Sequence, residues 1–174
     1  MITSFKTLEK TILVFLLLLS FTSCKSSKHV SDNSKKIELT STTISTNRVA
    51  NAIISNAKTY KGVRYKFGGV SKKGMDCSGL IYKSFKDENI ELPRMSIDMA
   101  KKGVSIKLNE VVKGDLLFFK TNKNKNEINH VGLVTNATYG NITFIHATTG
   151  KGVFTSSFNE QYWQKAFIEA RRIL

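Results

Sequence analysis

One cysteine and two histidines supply the most reactive side chains of the sequence beyond its N-terminal region. Cys77 lies at the predicted start of a helix, and His130 and His146 lie on two successive predicted strands. A thiolate attacks carbonyl carbons, and an imidazole takes the thiol proton and passes it to a leaving amine. Because a helix start favours negative charge, the position of Cys77 predicts a lowered pKa for its thiol. The three residue types therefore favour nucleophilic catalysis by a cysteine.

The two imidazoles must share one face of a hairpin if one is to orient the other. Pairing His130 directly with His146 places both on the same face. That register needs a loop with an odd number of residues, such as Asn136 to Gly140, centred on Thr138. A loop with an even number would separate the imidazoles and undermine a triad with Cys77.

Other interpretations of these residues stay open on the sequence alone. Cys77 is also compatible with a buried structural cysteine, and each histidine with a hydrogen-bonded residue of the sheet. The three side chains are also compatible with zinc binding, although neither a fourth ligand nor a closely spaced pair accompanies them.

The secondary-structure elements that position these residues are helices in the first half of the folded region and strands in the second half. Periodicity and capping residues predict helices from Ser45 or Thr46 to about Tyr60, from Cys77 to about Glu88 with Asp76 as its cap, and from Ser96 to Lys102. The predicted strands are Val104–Leu108, Asp115–Phe119, His130–Thr135, Asn141–Ala147 and Phe167–Ile173. This order is typical of the α+β class with an antiparallel sheet.

The chain of 174 residues has room for one domain of ordinary size, and its formal net charge is +14. Such a charge attracts nucleic acid, anionic lipid headgroups or acidic wall polymers, and it is also compatible with a basic but inert surface. Only two cysteines occur, Cys24 and Cys77, which excludes a framework of disulfides.

The N-terminal region has the pattern of a secretory signal peptide over residues 1–23. Lys6 and Lys10 precede an apolar run from Ile12 to Leu19, which is too short to span a membrane. Residues 24–46 are rich in Ser, Thr, Lys and Asn and predict a flexible tether, which leaves residues 47–174 as the catalytic domain.

The end of this region resembles the lipobox of bacterial lipoproteins, in which a cysteine becomes the lipidated first residue. Thr22-Ser23-Cys24 carries the resemblance, and Phe21 departs from the usual aliphatic residue. Lipidation of Cys24 would anchor the chain in a membrane. Lys25 in place of aspartate implies, by resemblance to Gram-negative lipoproteins, sorting to the outer membrane, facing the periplasm.

The folded region resembles the NlpC/P60 cell-wall peptidases over residues from about 48 to 174. The segments VRYKFGG, GMDCSGLIYKSF, LPRMS, KGDLLFF, NHVGLV and FIHATTG carry the resemblance, in the family's order and spacing. The resemblance implies a papain-like α+β fold, in which a helix bearing the cysteine packs on an antiparallel sheet bearing the histidine.

By this resemblance, Cys77 is the nucleophile, His130 the general base and His146 the residue that orients the imidazole. Tyr65 matches a tyrosine that lines the active site and assists the oxyanion. The resemblance implies no metal and no cofactor.

Further positions of the motifs match or depart from the family pattern. Asp76 and Ser78 match residues that in some relatives hold a free amino group of the substrate. Arg94 matches a shared position without an assigned role. Arg64 and Lys113 each replace a common proline, and Met95 replaces a threonine.

The implied activity is hydrolysis of peptidoglycan stem peptides between D-glutamate and a diamino acid such as diaminopimelate. The implied partners are these peptides and a membrane reached through Cys24, with no nucleic acid. Two alternatives remain at this stage: a wall-binding lipoprotein without turnover, and an acyltransferase or amidase on the same scaffold.

Overall fold

The computed structural model describes residues 29–122 and 127–174, with side chains from residue 43 onward. The predicted signal peptide and Cys24 lie outside the described residues. The chain divides into a unit of Met1–Thr40 and a unit of Ser41–Leu174. The second unit contains the sheet and every predicted site residue except Cys24.

The first described helix, α1, runs over His29–Lys58. The start predicted at Ser45 or Thr46 is therefore wrong, and the backbone of the predicted tether is helical from His29. In an α-helix each backbone N–H donates to the carbonyl four residues earlier, so the helical backbone there is hydrogen-bonded internally. Within the second unit, the helix buries Ile53, Ile54 and Ala57 in the main core.

Among the described residues, three further α-helices and one 3-10 helix, Leu108–Glu110, follow, and the last α-helix was not predicted. Their bounds are Cys77–Lys86 for α2, Ser96–Met99 for α3 and Gln161–Ala166 for α4. The capping role predicted for Asp76 is confirmed, because its side chain accepts a hydrogen bond from the Gly79 N–H. The helix α4 is too short to show a periodic apolar stripe in the sequence.

The strands form one large antiparallel sheet and one small hairpin. The hairpin pairs β1, Val70–Ser71, with β2, Gly74–Met75. The large sheet has the order β3-β8-β4-β5-β6-β7. Its strands are β3, Val104–Ile106; β4, Leu116–Phe119; β5, His130–Thr138; β6, Asn141–Thr148; β7, Gly152–Ser157; and β8, Phe167–Arg172. The α+β class predicted from the sequence is confirmed.

Both faces of the large sheet are covered. Alternating residues of β4 show this, because Leu116 and Phe118 belong to one core cluster and Leu117 and Phe119 to the other. Helices α1 and α2 contribute to the first cluster, whereas Trp163 of α4 belongs to the second. In the described ranges, no helix combines the length and the apolar character needed to cross a membrane.

Candidate active site

Cys77 is the first residue of α2 and is buried. Asp76 fixes this helix start, since its Oδ1 accepts the Gly79 N–H at 2.6 Å. A side chain at position 79 would collide with the carbonyl oxygen of Gly69, so only glycine permits the close approach of the preceding loop. Capping and a tight loop together place the thiol at the edge of the core.

The histidines lie on adjacent strands and share one face, as predicted, but through a different register. Leu133 pairs with Ile145, so His146 lies diagonal to His130 rather than directly opposite it. The loop between the strands has two residues, an even number, because Thr138 pairs with Asn141. The predicted direct pairing and the odd loop are therefore wrong.

A β-bulge restores the shared face. The register shifts by one residue between Val134 and Asn136, which leaves Thr135 as the extra residue of β5. The two loop residues, Tyr139 and Gly140, both have positive φ angles, as a type I′ turn requires. The even loop moves the imidazoles to opposite faces and the bulge returns them to one.

The paired imidazoles form the first link of a buried hydrogen-bonded chain. His130 Nε2 lies 3.0 Å from His146 Nδ1, and His146 Nε2 lies 3.1 Å from Ser156 Oγ. If His130 donates from Nε2, then His146 accepts at Nδ1 and must carry its own proton at Nε2, toward Ser156. In that arrangement His130 Nδ1 carries no proton, which is the state a general base needs.

Aromatic rings enclose both imidazoles. The Trp163 indole stacks on His130 with ring centroids 5.4 Å apart and an interplanar angle of 20°. Phe144 and Phe154 lie 4.8 Å and 4.6 Å from the His146 ring. This enclosure keeps water from the imidazoles and disfavours their charged forms.

Burial sets the protonation states of the three reactive groups. It lowers the pKa of His130 to about 4 and, with the neighbouring His130 and Lys151 as smaller causes, lowers the pKa of His146 to about 3. It raises the pKa of the Cys77 thiol to about 11, against opposing hydrogen bonds from backbone N–H groups, foremost that of Val131. The predicted lowering of the thiol pKa is therefore wrong, because burial outweighs the helix start.

Cys77 meets β5 where that strand begins. The backbone N–H of Val131, the residue after His130, is among the groups that interact with the thiol. The thiol belongs to the core cluster on the α2 face, whereas the rings of Phe119 and Trp163 around His130 belong to the other. In the described part of the chain, no hydrogen bond joins the thiol to either imidazole. Active sites commonly tighten such contacts only when substrate binds.

Arg94 ties together the two residues that flank Cys77 in the sequence. Its Nη1 donates to Ser78 Oγ at 2.8 Å, and its Nη2 donates to Asp76 Oδ2 at 2.9 Å. Asp76 Oδ2 also accepts the Gly68 N–H at 2.7 Å. The Asp76 carboxylate is therefore surrounded by donors from three parts of the chain.

Tyr65 precedes the same loop and is half-buried against the core cluster that contains Cys77. It forms an isolated bridge with Met75, two residues before the cysteine. Burial is the largest cause that raises the pKa of its phenol, followed by the negative charges of a Cys77 thiolate and of Asp76. Tyr65 is thus near enough to Cys77 to sense its charge.

Sequence reasoning missed Ser156, Trp163 and the contacts of Arg94. Ser156 lies on β7, which was not predicted, and Trp163 lies on the unpredicted α4. The LPR segment did single out Arg94, but only the folded chain shows what it touches. Within the described ranges, no group of three or more His, Cys, Asp or Glu side chains converges as a metal site requires.

Comparison with known proteins finds relatives over the region that contains Cys77, His130 and His146. The NlpC/P60 family model matches residues 62–172. The murein DD-endopeptidase MepS/murein LD-carboxypeptidase of Escherichia coli K12 is 39% identical over 127 residues, 72% of this chain and 64% of that protein. The chain thus spans less than two thirds of that relative's length.

Two further proteins are similar over the same region. The gamma-D-glutamyl-L-lysine dipeptidyl-peptidase of Bacillus subtilis is 36% identical, over 71% of this chain and 40% of its own length. The crystal structure of an NlpC/P60 family protein from Bacillus cereus superposes with a TM-score of 0.65 and 28% identity, covering 72% of this chain and 40% of that one.

Proposed function

Because the chain belongs to the NlpC/P60 family, we propose that it is a cysteine endopeptidase that hydrolyses the stem peptides of peptidoglycan. The observation that carries the proposal is the hydrogen bond between His130 and His146 beside the strand end that meets Cys77. The two hydrogen-bonded imidazoles supply a base and an orienting group, and Cys77 supplies the nucleophile. The word murein in the name of the relative from Escherichia coli supports a substrate in the cell wall.

The reaction begins with a neutral thiol and a neutral imidazole. As Cys77 Sγ attacks the scissile carbonyl carbon, its proton passes to His130 Nδ1. The resulting imidazolium keeps its Nε2 hydrogen bond to His146 and then gives the Nδ1 proton to the leaving amine. A thioester to Cys77 remains. Water then attacks the thioester carbonyl carbon while His130 takes one of its protons. The C–S bond breaks, the acyl part of the peptide leaves as a carboxylic acid, and His130 returns the proton to Cys77 Sγ.

Donors for the oxyanion lie close to the nucleophile. The backbone N–H groups at the α2 start and the phenol of Tyr65 fill this role in our proposal. Each positioned donor contributes about 10²–10³-fold to such reactions. The nearness of Tyr65 to the charge of Cys77 supports its part.

We assign recognition of a free amino group on the stem peptide to Asp76 and Ser78. The carboxylate of Asp76 and the hydroxyl of Ser78 are suitable acceptors for an ammonium group. Arg94 already donates to both acceptors, so in our proposal the ammonium binds beside the guanidinium and shares them.

The bond between D-glutamate and the diamino acid is the proposed target. The name of the relative from Bacillus subtilis, a gamma-D-glutamyl-L-lysine dipeptidyl-peptidase, supports this bond. The name of the relative from Escherichia coli, a DD-endopeptidase, instead favours the cross-link between stem peptides as a second candidate. The two bonds give products of different mass.

We further propose that residues 1–23 are a signal peptide, that Cys24 is lipidated and that residues 24–46 connect it to the catalytic domain of residues 47–174. The apolar run and the lipobox-like Thr22-Ser23-Cys24 support this organisation. It places the enzyme in the cell envelope, on the outer membrane facing the periplasm. Incorporation of labelled palmitate in the wild type, with none in Cys24→Ala, is the expected result. Equal labelling would contradict it.

Digestion of purified peptidoglycan tests the activity. Wild-type enzyme should release fragments whose masses show cleavage after D-glutamate, and Cys77→Ala should release none. If cross-linked dimers become monomers instead, the DD cross-link is the target. If both proteins release the same fragments or none, the chain is not a hydrolase, and binding to the wall without turnover becomes the better account.

A further inference from the structure

Four cationic side chains line one hollow beside the loop that carries Tyr65. The hollow is shallow and wide open to solvent, with a volume of about 720 Å³. Its cations are Lys61, Arg64, Lys72 and Lys73, and no carboxylate lines it. Like charges collected in one concavity attract anions from solution and hold them there.

Within the part of the chain that the structure describes, these four cations differ from several arginines in their ion pairing. A salt bridge to a carboxylate occupies each of three arginines, Arg94, Arg171 and Arg172. In contrast, no carboxylate among the described residues pairs with any of the four that line the hollow. Their charge is therefore available to a ligand from outside the chain.

Backbone hydrogen bonds fix the wall of the hollow. The Gly62 N–H donates to the Val153 carbonyl at 2.9 Å, and the Val153 N–H donates to the Val63 carbonyl at 2.8 Å. Arg64 Nε donates to the Lys73 carbonyl at 3.0 Å, which joins this segment to the β1–β2 turn. A site that is already ordered loses less entropy when it binds a ligand.

Arg64, which lines the hollow, directly precedes Tyr65 in the chain. Tyr65 is half-buried against the core that contains Cys77, whereas Arg64 and Lys66 are exposed. Successive side chains of an extended segment point in opposite directions. The exposed side chain of Arg64 therefore diverges from that of Tyr65, and the hollow opens to solvent beside the segment that borders the candidate active site.

We propose that the hollow is an exosite for carboxylates of stem peptides next to the one being cut. Stem peptides that contain D-glutamate and diaminopimelate are acidic, and a guanidinium with three ammonium groups complements several carboxylates at once. The exosite holds the insoluble wall polymer while Cys77 acts on one peptide of it. This inference rests on the proposed function, because it takes its ligand from the same substrate.

Two pairs of substitutions with equal loss of charge test the exosite. Lys72→Gln with Lys73→Gln removes two cations of the hollow, and Lys102→Gln with Lys113→Gln removes two exposed cations elsewhere. Each pair is placed in the full chain with Cys77→Ala, and cosedimentation with purified peptidoglycan sacculi is measured at low and high salt. The hollow pair should weaken binding by about fivefold at low salt, and the control pair should change it far less.

The same pairs in the active enzyme separate the exosite from catalysis. The hollow pair should lower the ratio of the rate on sacculi to the rate on a soluble stem peptide. Binding equal to that of the control pair would overturn the exosite. So would loss of binding to phosphatidylglycerol vesicles with sacculus binding intact, because the ligand would then be a membrane phosphate. Failure of wild type to cut the soluble peptide would instead count against the proposed function, and the binding test would still stand.

Discussion

Arg94 holds the carboxylate of Asp76 from a position far along the chain, with 2.9 Å between Nη2 and Oδ2. Asp76 in turn caps the helix that begins with Cys77. The ion pair therefore connects a loop after α2 to the start of α2 itself. A residue without an assigned role in the sequence thus supports the position of the candidate nucleophile.

Replacement of Arg94 by glutamine should reduce both stability and activity. It leaves the buried Asp76 charge with two backbone N–H groups and the weakly bound Ser78 hydroxyl as donors, and an under-satisfied buried group costs about 1–3 kcal/mol. We expect a lower melting temperature and a lower kcat/KM. Arg171→Gln, which removes an ion pair with Glu169, is the matched control and should cost about 0–1 kcal/mol. Equal effects from the two variants would mean that the contact with Asp76 has no special role.

Replacement of Ser156 by alanine should lower kcat while KM changes little. Without the hydroxyl, His146 loses the partner that fixes its Nε2 proton, and the tautomer that suits His130 becomes less populated. We expect a loss of about tenfold, well below the 10²–10⁴-fold of a general base itself. Thr155→Ala, the neighbouring residue of β7, is the control. Similar losses in both variants would indicate damage to the strand rather than to the tautomer.

The acid limb of kcat/KM should lie near pH 4. His130 must be neutral to accept the thiol proton, and burial lowers its pKa to about 4. Activity is therefore retained as pH falls from 7 to about 5 and is lost as pH falls through about 4. Steady-state rates on a soluble stem peptide, with folding followed at each pH, measure the limb. A midpoint near 6.5 would show that water reaches the imidazole.

The free thiol should react slowly with iodoacetamide at neutral pH. Burial raises the pKa of Cys77 to about 11, so the thiolate fraction grows only as pH rises toward that value. The alkylation rate should increase steadily from pH 7 to pH 10 without a plateau. A plateau above pH 8 would mean that the helix start determines the pKa after all.

The stability of the fold should fall with pH below about 6.5. Both histidines have folded-state pKa values below the unfolded value of about 6.5, so the unfolded chain binds more protons in acid. The stabilising contribution is present above pH 6.5 and is lost as pH falls through about 4 for His130 and about 3 for His146. Urea unfolding at pH 7 and pH 5 measures this, with His146→Phe expected to reduce the dependence. A midpoint independent of pH would contradict the buried neutral state.

Local signals in the sequence predicted local structure well. The cap at Asp76 and the strand that starts at His130 depend on neighbours within a few residues, and both are where the sequence places them. The thiol pKa was predicted with the wrong sign, because burial is a property of the packed chain. A helix start is visible in a sequence, whereas the residues that close over Cys77 are not.

The hairpin shows a correct conclusion reached through a wrong register. Whether the loop length is odd or even predicts which side chains share a face only if the strand pairing is regular. Thr135 is a common residue type in strands, so the sequence does not indicate that a bulge occurs there. The polar composition of β7, where Thr155, Ser156 and Ser157 follow each other, hid that strand and with it Ser156. These contacts are long-range, so a single sequence does not display them.

The bulge at Thr135 divides the hairpin into two regions with different tolerance to insertions and deletions. Between His130 and Val134 the pairing with β6 is regular. Deletion of Thr135, the extra residue of the bulge, would shift this pairing by one residue and turn one imidazole away from the other. Beyond the bulge, the tip carries the fully exposed Tyr139, and residues inserted there lengthen the loop while the pairs of the inner ladder stay as they are. Natural homologues should therefore vary in length at this tip while the segment from His130 to Thr135 keeps its length. A peptide tag inserted after Tyr139 should likewise leave the pairing of the two strands intact.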